Sequence, residues 1–275
     1  YIEGVDNTLF ASIISLDTAT GLAYIGGGGG QTPGFTIVDT RTEQVVGTEF
    51  VGLGVATVTA HRGRLYVGEA CTNGRVFVLD AASRAEVGRV EPNITYDGGA
   101  CNNSDVRVFS SDGNTAWAGI IDAGVMEFDS RSFVITRRFD IQAPLGDGYY
   151  GVSRGLALLN DRWLYVAKIE GGIDEIDLTT GEVTSHYPVN RPPDPSLREL
   201  AILPGRNLMF VTGDPDATGP ANVRAPILLQ VPGLRLRYAF PQRPGRIHDN
   251  LVVHPDGKRV YVMAEFDVDV YIVRP

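Results

Sequence analysis

The sequence predicts an all-β fold: a six-bladed β-propeller with four antiparallel strands in each blade. Three observations predict it. A motif with one aromatic residue recurs six times, apolar runs of strand length alternate with tight turns, and Gly and Pro supply 33 and 16 of the 275 residues. No segment sustains the apolar period of a helix, whereas repeats of four short strands are typical of propeller blades.

The recurring motif marks the second strand of each blade. Its six copies read GLAYIGG, GRLYVGE, NTAWAGI, RWLYVAK, NLMFVTG and KRVYVMA, with aromatics at Tyr24, Tyr66, Trp117, Tyr165, Phe210 and Tyr261. Successive aromatics lie 42, 51, 48, 45 and 51 residues apart. This spacing leaves room for four strands and their turns in each repeat.

The other strands flank this motif. A short apolar run precedes each copy, such as SIISLD or LALLND, and predicts the inner strand of the blade. A third run follows and ends in four repeats at an acidic residue: Asp39, Asp80, Asp129 and Asp177. A fourth run comes after that turn, and the Asp-Gly, Gly-Gly and Thr-Gly pairs between runs favour hairpin turns.

We expect one propeller domain over residues 1–275. Its blades span approximately residues 12–50, 55–91, 105–140, 154–189, 198–240 and 248–275. The sixth repeat ends one strand short, whereas residues 1–10 precede the first inner strand. We therefore expect this N-terminal segment to supply the outer strand of the last blade, so that no sheet edge stays open.

Two segments carry a resemblance to a known kind of repeat. VVHPDGKRVYVMAEFDVDVYIV and LYVAKIEGGIDEIDLTTGEV resemble YVTN-type β-propeller repeats, and the pattern covers nearly the whole chain. More distantly, six blades resemble the SMP-30/gluconolactonase and strictosidine-synthase-like propellers. The resemblance implies the fold and no single activity, because propellers host hydrolases, lyases, cyclases and binding modules alike.

Charge and hydropathy exclude two classes of partner. The chain has 24 Lys and Arg against 33 Asp and Glu, a net charge of −9 at pH 7, which is the wrong sign for binding nucleic acid. No run approaches the roughly 20 apolar residues of a membrane helix. The expected partner is a small-molecule ligand bound by a monomer.

The two cysteines, Cys71 and Cys101, fall in loops of the second blade. One lies between its second and third strands and the other in the segment that leaves the blade, so a disulfide closing a 30-residue loop is expected. The alternative is two free thiols in a reducing compartment. With the N-glycosylation patterns at Asn93 and Asn102, the pair predicts a secreted or periplasmic protein.

One face of the propeller is predicted to hold the site. Its loops are long, as in GGGGGQTPG and PNITYDGGACNNS, whereas the opposite face has tight turns such as SSDGN and HPDGK. Functional residues concentrate in such loops and at the strand ends beneath them. We therefore expect the ligand at this loop-rich face, over the channel mouth.

Charged side chains of both signs are expected to meet at that mouth. Converging cations need an anion, from the protein or from a ligand, and charge clusters in clefts are often functional. The predicted catalytic residues are His248, Glu199, Arg154, Arg198 and Asp249. The predicted ligand-binding residues are Asp105, Arg107, Asn250, Glu69, Lys168, Glu265, Tyr96, Tyr149 and Tyr150.

These residue types suit the acid–base chemistry of a lyase, a lactonase or a cyclase. His248 or Glu199 would move the proton, with Asp249 as the orienting group, and the two arginines would stabilise negative charge developing on oxygen. The three tyrosines would form an apolar wall. The alternative is a secreted module that binds a protein or glycan without turnover, and the sequence does not decide between them.

Three further motifs are weighed against this site. Residues 151–155 match G-x-S-x-G, but a strand rather than a helix follows, so no nucleophile elbow is expected. The run Gly26 to Gly30 is not followed by a helix that could hold a phosphate. Only His248 among four histidines reaches the mouth, so no cofactor is predicted.

An oxygen-ligated calcium or magnesium ion remains the alternative to a metal-free site. Asp105, Glu199 and Asn250 would be its ligands, and the SMP-30-like propellers use a comparable Glu, Asn and Asp set. The neighbouring Arg154 and Arg198 would oppose a bound cation.

Overall fold

The computed structural model describes most of the chain and contains β-strands without helices in that part. The described residues are 11–27, 34–50, 54–69, 73–93, 104–120, 124–141, 152–168, 172–186, 197–213, 226–240, 248–264 and 268–274. The chain forms two compact units, Tyr1–Arg138 and Phe139–Pro275. Three antiparallel sheets lie in each unit.

The first unit contains three four-stranded sheets. Each strand pairs with the strand next in sequence, so every sheet is a simple meander. The strands are β1 (Ala11–Asp17), β2 (Leu22–Gly27), β3 (Gly34–Asp39), β4 (Gln44–Phe50), β5 (Val55–His61), β6 (Arg64–Glu69), β7 (Val76–Asp80), β8 (Glu86–Val90), β9 (Ser104–Phe109), β10 (Thr115–Ile120), β11 (Gly124–Asp129) and β12 (Ile135–Phe139).

The second unit repeats the arrangement, with four, four and three strands among the described residues. The strands are β13 (Val152–Leu159), β14 (Trp163–Lys168), β15 (Ile173–Asp177), β16 (Glu182–His186), β17 (Leu197–Ile202), β18 (Leu208–Gly213), β19 (Ile227–Gln230), β20 (Arg235–Ala239), β21 (His248–Val253), β22 (Arg259–Ala264) and β23 (Val268–Ile272).

The recurring aromatic of the second strand packs between blades. Tyr24, Tyr66, Tyr165 and Phe210 are at most 1% exposed, and each belongs to an apolar cluster shared by its own sheet and the next sheet of the same unit. Burying a large apolar side chain contributes about 1.5–3 kcal/mol. A four-stranded meander of this kind is stable when both of its faces pack against neighbouring sheets.

The acidic residue at the end of the third strand builds the next turn. In the first blade, Asp39 Oδ1 accepts the backbone N–H of Arg41 at 2.8 Å, and the N–H of Glu43 donates to the Asp39 carbonyl oxygen at 2.8 Å. The residue four positions after this aspartate has a positive φ in each of four blades, at Glu43, Arg84, Phe133 and Gly181. The motif therefore encodes a turn that closes the outer hairpin.

The predicted fold class is confirmed: the protein is an all-β, six-bladed β-propeller. The inner strands of successive blades pack side by side within each unit, β1 with β5 and β5 with β9 in the first, and β13 with β17 and β17 with β21 in the second. The segment expected to complete the last blade, residues 1–10, lies outside the described residues, and its role stays a prediction.

Candidate functional site

The inner strand of every blade is bulged near its first residues. In β5, Val55 pairs with Glu69 and Thr57 pairs with Gly68, so Ala56 has no partner of its own. In β21, His248 pairs with Ala264 and Asn250 pairs with Met263, so Asp249 is the extra residue and has no partner of its own on β22. A bulge interrupts the alternation of side chains and re-aims the residues within it, a device common beside binding sites.

Several of the charged residues predicted from the sequence fall in these bulges. Arg107 is the extra residue of β9, because Val106 pairs with Ala118 and Val108 with Trp117. In β17, Arg198 and Glu199 together face Thr212, and in β13 residues 153–155, which include Arg154, face Ala167 alone. The bulges of β1 and β5 hold only small residues, Ser12 and Ala56.

Glu199 is the predicted catalytic residue whose side chain the structure describes, and it is buried. The residue is 4% exposed, and Thr212 on the adjoining strand β18 is 1% exposed. The hydroxyl of Thr212 has no hydrogen-bond partner within the described part of the chain. A carboxylate and a hydroxyl are thus held away from water at the bulge of β17.

Lys168, predicted to bind the ligand, is engaged in a buried ion pair. Its Nζ lies 2.7 Å from Asp174 Oδ1, and the two side chains are 3% and 1% exposed. Lys168 ends β14, and Asp174 is the second residue of β15, so the pair spans the hairpin between these strands. The ammonium group is held in place by this contact, and burying the two charges has a cost in desolvation.

Glu69, the matching residue of the second blade, is held in the same way. Arg75 donates from Nε to Oε2 at 2.9 Å and from Nη2 to Oε1 at 2.6 Å, a two-point bond to a fully buried carboxylate. The hydrogen bonds that Arg75 donates to Glu69 raise the pKa of Arg75 above its ordinary value. The guanidinium also lies 5.5 Å from the centre of the Phe77 ring.

Arg75 and Asp174 are absent from the sequence-based site, although a signal for both exists. Each lies six residues after its partner, just beyond the turn that joins the second and third strands of its blade. Residues that flank such a turn lie on neighbouring strands within reach of each other. Opposite charges at this spacing would have pointed to both pairs.

Other predicted site residues are described only in part. The structure gives the strand positions of Asp105, Arg154, Arg198, His248, Asp249 and Asn250 but not their side chains, and it gives a half-buried side chain for Arg107. Glu265, Tyr96, Tyr149, Tyr150, Cys71 and Cys101 lie outside the described residues. The tyrosine wall and the disulfide therefore stay predictions.

The described part of the chain can be searched for a metal site and for a membrane-spanning helix. Within it, no three His, Cys, Asp or Glu side chains are grouped closely enough to hold a metal ion. Of the proposed ligands Asp105, Glu199 and Asn250, only Glu199 has a described side chain. No helix long and apolar enough to cross a bilayer occurs among the residues that the structure describes.

Comparison with known proteins identifies the fold. No protein-family model and no curated protein matches the sequence. A chain of the mitotic checkpoint complex crystal structure matches with a TM-score of 0.74 and 14% identity, over 98% of this chain and 76% of that chain. Hydrazine synthase of Kuenenia stuttgartiensis matches with a TM-score of 0.68 and 19% identity, over 95% and 76%.

A third solved structure is BamB from Moraxella catarrhalis, with a TM-score of 0.57 and 15% identity over 92% of this chain and 81% of that chain. At these identities the likeness shows the fold alone. One of the matched chains belongs to a complex and another to a synthase, so the shared fold does not select between binding and catalysis. The resemblance to YVTN-type and SMP-30-like propellers stays a prediction.

Proposed function

We propose that this propeller binds a small oxygenated or anionic molecule at the bulged starts of its inner strands and transforms it by acid–base chemistry of the lyase, lactonase or cyclase type. One observation carries the proposal. In the second unit the three inner-strand bulges contain Arg154, the pair Arg198 and Glu199, and Asp249. Bulges filled with charge are unexpected where the sheet alone has to be stabilised.

The packing of the inner strands supports a shared site. Strand β17 packs against both β13 and β21, and the bulge of each lies near its first residue. Equivalent strands of successive blades run in the same direction around a propeller. The bulges of three neighbouring strands then lie at one end of the unit.

The residues available there have complementary chemical roles. Glu199 is buried, and a carboxylate held away from water is a typical proton-transfer group. His248, the first residue of β21, is the alternative base, oriented by Asp249. Arg154 and Arg198 stabilise negative charge that develops on a substrate oxygen.

The long loops complete the proposed site. Tyr96, Tyr149 and Tyr150 form its apolar wall, and Asp105, Arg107, Asn250 and Glu265 add polar contacts. A disulfide between Cys71 and Cys101 holds one of the loops, which requires a secreted or periplasmic location.

The test uses glucono-δ-lactone as a lactone probe and gluconate as its open anionic form. We expect one or both to raise the melting temperature of the protein, and the substitutions Arg198→Gln, Glu199→Gln and Asp249→Asn to abolish that rise and any turnover. Arg131→Gln, in the turn after β11, is the matched control. Variants that unfold without ligand-specific loss, or that keep the wild-type response, would assign the bulges a structural role.

A binding module without turnover is the second candidate, and the ion pairs favour it. Glu69 and Lys168 were expected to reach a ligand, yet both are engaged with Arg75 and Asp174 inside their blades. Side chains fixed in this way suit a rigid recognition surface more than proton transfer. Recovery of a bound probe chemically unchanged, measured by mass spectrometry, would favour this candidate.

A further inference from the structure

A groove lies in the second unit beside β23, and none of the residues in the bulged strand starts lines it. Its volume is about 650 Å³, within the roughly 300–1,000 Å³ of small-molecule cavities. We call it the aromatic groove. It is lined by Leu208, Leu228, Arg237, Tyr238, Phe240, Val270, Tyr271, Ile272, Val273 and Arg274.

The walls of the aromatic groove form a connected set of rings. Phe240 packs edge-on against Tyr238, with ring centres 4.8 Å apart, and against Tyr271 at 5.0 Å. The fully buried Phe210 lies 5.3 Å from both Phe240 and Tyr271. A wall backed in this way is held in place before a ligand arrives, which reduces the entropy lost on binding.

The arginine beside this apolar wall lies at a bulge in β20. In the pairing of β19 with β20, Leu228 faces Tyr238 and Leu229 faces Leu236, so Arg237 is the extra residue. Consecutive residues of a regular strand point to opposite faces. At this bulge, Arg237 and Tyr238 both line the aromatic groove.

Two arginines, Arg237 and Arg274, bring positive charge to the groove. Within the described residues, no ion pair or hydrogen bond involves the guanidinium of Arg237 or of Arg274. Other arginines in the described part of the chain do pair with carboxylates: Arg41, Arg75, Arg89, Arg137, Arg162 and Arg259. Two available cations beside an apolar wall complement a molecule with one anionic end and an apolar body.

We propose that the aromatic groove is a binding site for an organic anion of this kind, a carboxylate on an apolar chain. The carboxylate contacts Arg237 and Arg274, and the chain packs against Tyr238, Phe240 and Tyr271. The site shares no residue with the bulged strand starts, so the proposal is independent of the function suggested for them.

The first experiment measures binding of dodecanoate to the full chain by titration calorimetry, with dodecanol as the uncharged control. We expect saturable binding of one dodecanoate and at least tenfold weaker binding of dodecanol. Arg237→Gln and Arg274→Gln should each weaken dodecanoate binding by about tenfold and leave dodecanol unaffected. Arg235→Gln, on the same strand but outside the groove lining, should change neither.

A second experiment locates the ligand and tests the other occupant that the sequence suggests. A photoreactive fatty acid should label peptides from residues 226–240 and 268–274. Equal affinity for acid and alcohol, or labelling elsewhere, would overturn the proposal. Dodecanoate binding that appears only after residues 1–10 are deleted would also overturn the proposal, because the groove would then be the binding site of that segment.

Discussion

Lys168 and Asp174 form an ion pair of 2.7 Å between side chains that are almost completely buried. In the second blade, Glu69 and Arg75 form a pair of reversed sign across the corresponding hairpin, where Arg75 lies directly opposite Glu69. Both pairs join the end of a second strand to the start of a third strand. In these two blades, an ion pair therefore joins the second and third strands at the end of the hairpin that leads towards the predicted ligand face.

Removing one partner of the buried pair should be strongly destabilising. Asp174→Asn removes the carboxylate charge that lies 2.7 Å from the buried ammonium group of Lys168, so we expect a loss of about 3–5 kcal/mol in the free energy of unfolding. Urea unfolding measures it. The double variant Lys168→Met/Asp174→Leu should recover most of the loss, since an apolar pair of similar volume has no charge to desolvate.

An exposed pair provides the control. Arg89 and Glu86 are 42% and 37% exposed at their side chains and lie 2.8 Å apart, so Arg89→Gln should cost about 1 kcal/mol or less. A loss in Asp174→Asn no larger than in Arg89→Gln would show that the ion pair with Lys168 contributes little to stability.

The two partners of the second pair should not be equivalent. Glu69 is fully buried at its side chain, whereas Arg75 is 23% exposed. Arg75→Gln leaves a carboxylate that cannot reach water, while Glu69→Gln leaves a guanidinium that can turn towards it. We expect Arg75→Gln to be the more destabilising by at least about 1 kcal/mol; equal losses in urea unfolding would contradict this asymmetry.

Acid should unfold the protein through the turn aspartates. A hydrogen bond from Arg162 lowers the pKa of Asp177 from 3.8 to about 2, with further bonds from Thr179. A carboxyl with a lowered pKa in the folded state stabilises that state above pH 4, and the stabilisation is lost as the pH falls towards 2. The melting temperature should therefore be level from pH 7 to 5 and fall below pH 4.

One substitution isolates this contribution. Asp177→Asn keeps the size of the side chain but cannot ionise, so its melting temperature should depend less on pH between 4 and 2 than that of the wild type. Identical pH profiles for Asp177→Asn and the wild type would remove Asp177 from the acid response.

The repeat could be predicted because it depends on local signals. Tyr24, Tyr66 and Tyr165 recur with the second strand, and Asp39 and its equivalents mark the outer turn, so the strands follow from residues close in sequence. Each blade then had to stack on its neighbours, since the two apolar faces of a single meander leave no other soluble arrangement.

The bulges could not be predicted in this way. An extra residue such as Asp249 or Arg237 leaves the apolar pattern of its strand nearly unchanged, and its effect appears only in the pairing with the neighbouring strand. The partners Arg75 and Asp174 were missed for a different reason. Their positions next to Glu69 and Lys168 are set by the geometry of the hairpin rather than by the periodicity of the strands. The opposite charges on the two sides of the turn would have predicted both pairs.

Thr212 gives a test that separates structure from function at the bulge of β17. Its hydroxyl is buried and has no hydrogen-bond partner within the described residues, and in the strand register Thr212 lies opposite the bulged residues 198 and 199. Thr212→Val replaces the hydroxyl with a methyl group, so stability should be unchanged or raised by about 1 kcal/mol, because a buried polar group without a partner is unfavourable. If the hydroxyl binds a ligand at this bulge, the same variant should lose at least part of the melting-temperature rise given by gluconate.

Thr136→Val is the matched control, since the Thr136 hydroxyl donates to Glu127 at 2.8 Å. This variant should lose stability and keep the melting-temperature response to gluconate. A Thr212→Val protein that is less stable yet responds fully to gluconate would place the hydroxyl among the structural contacts of the blade.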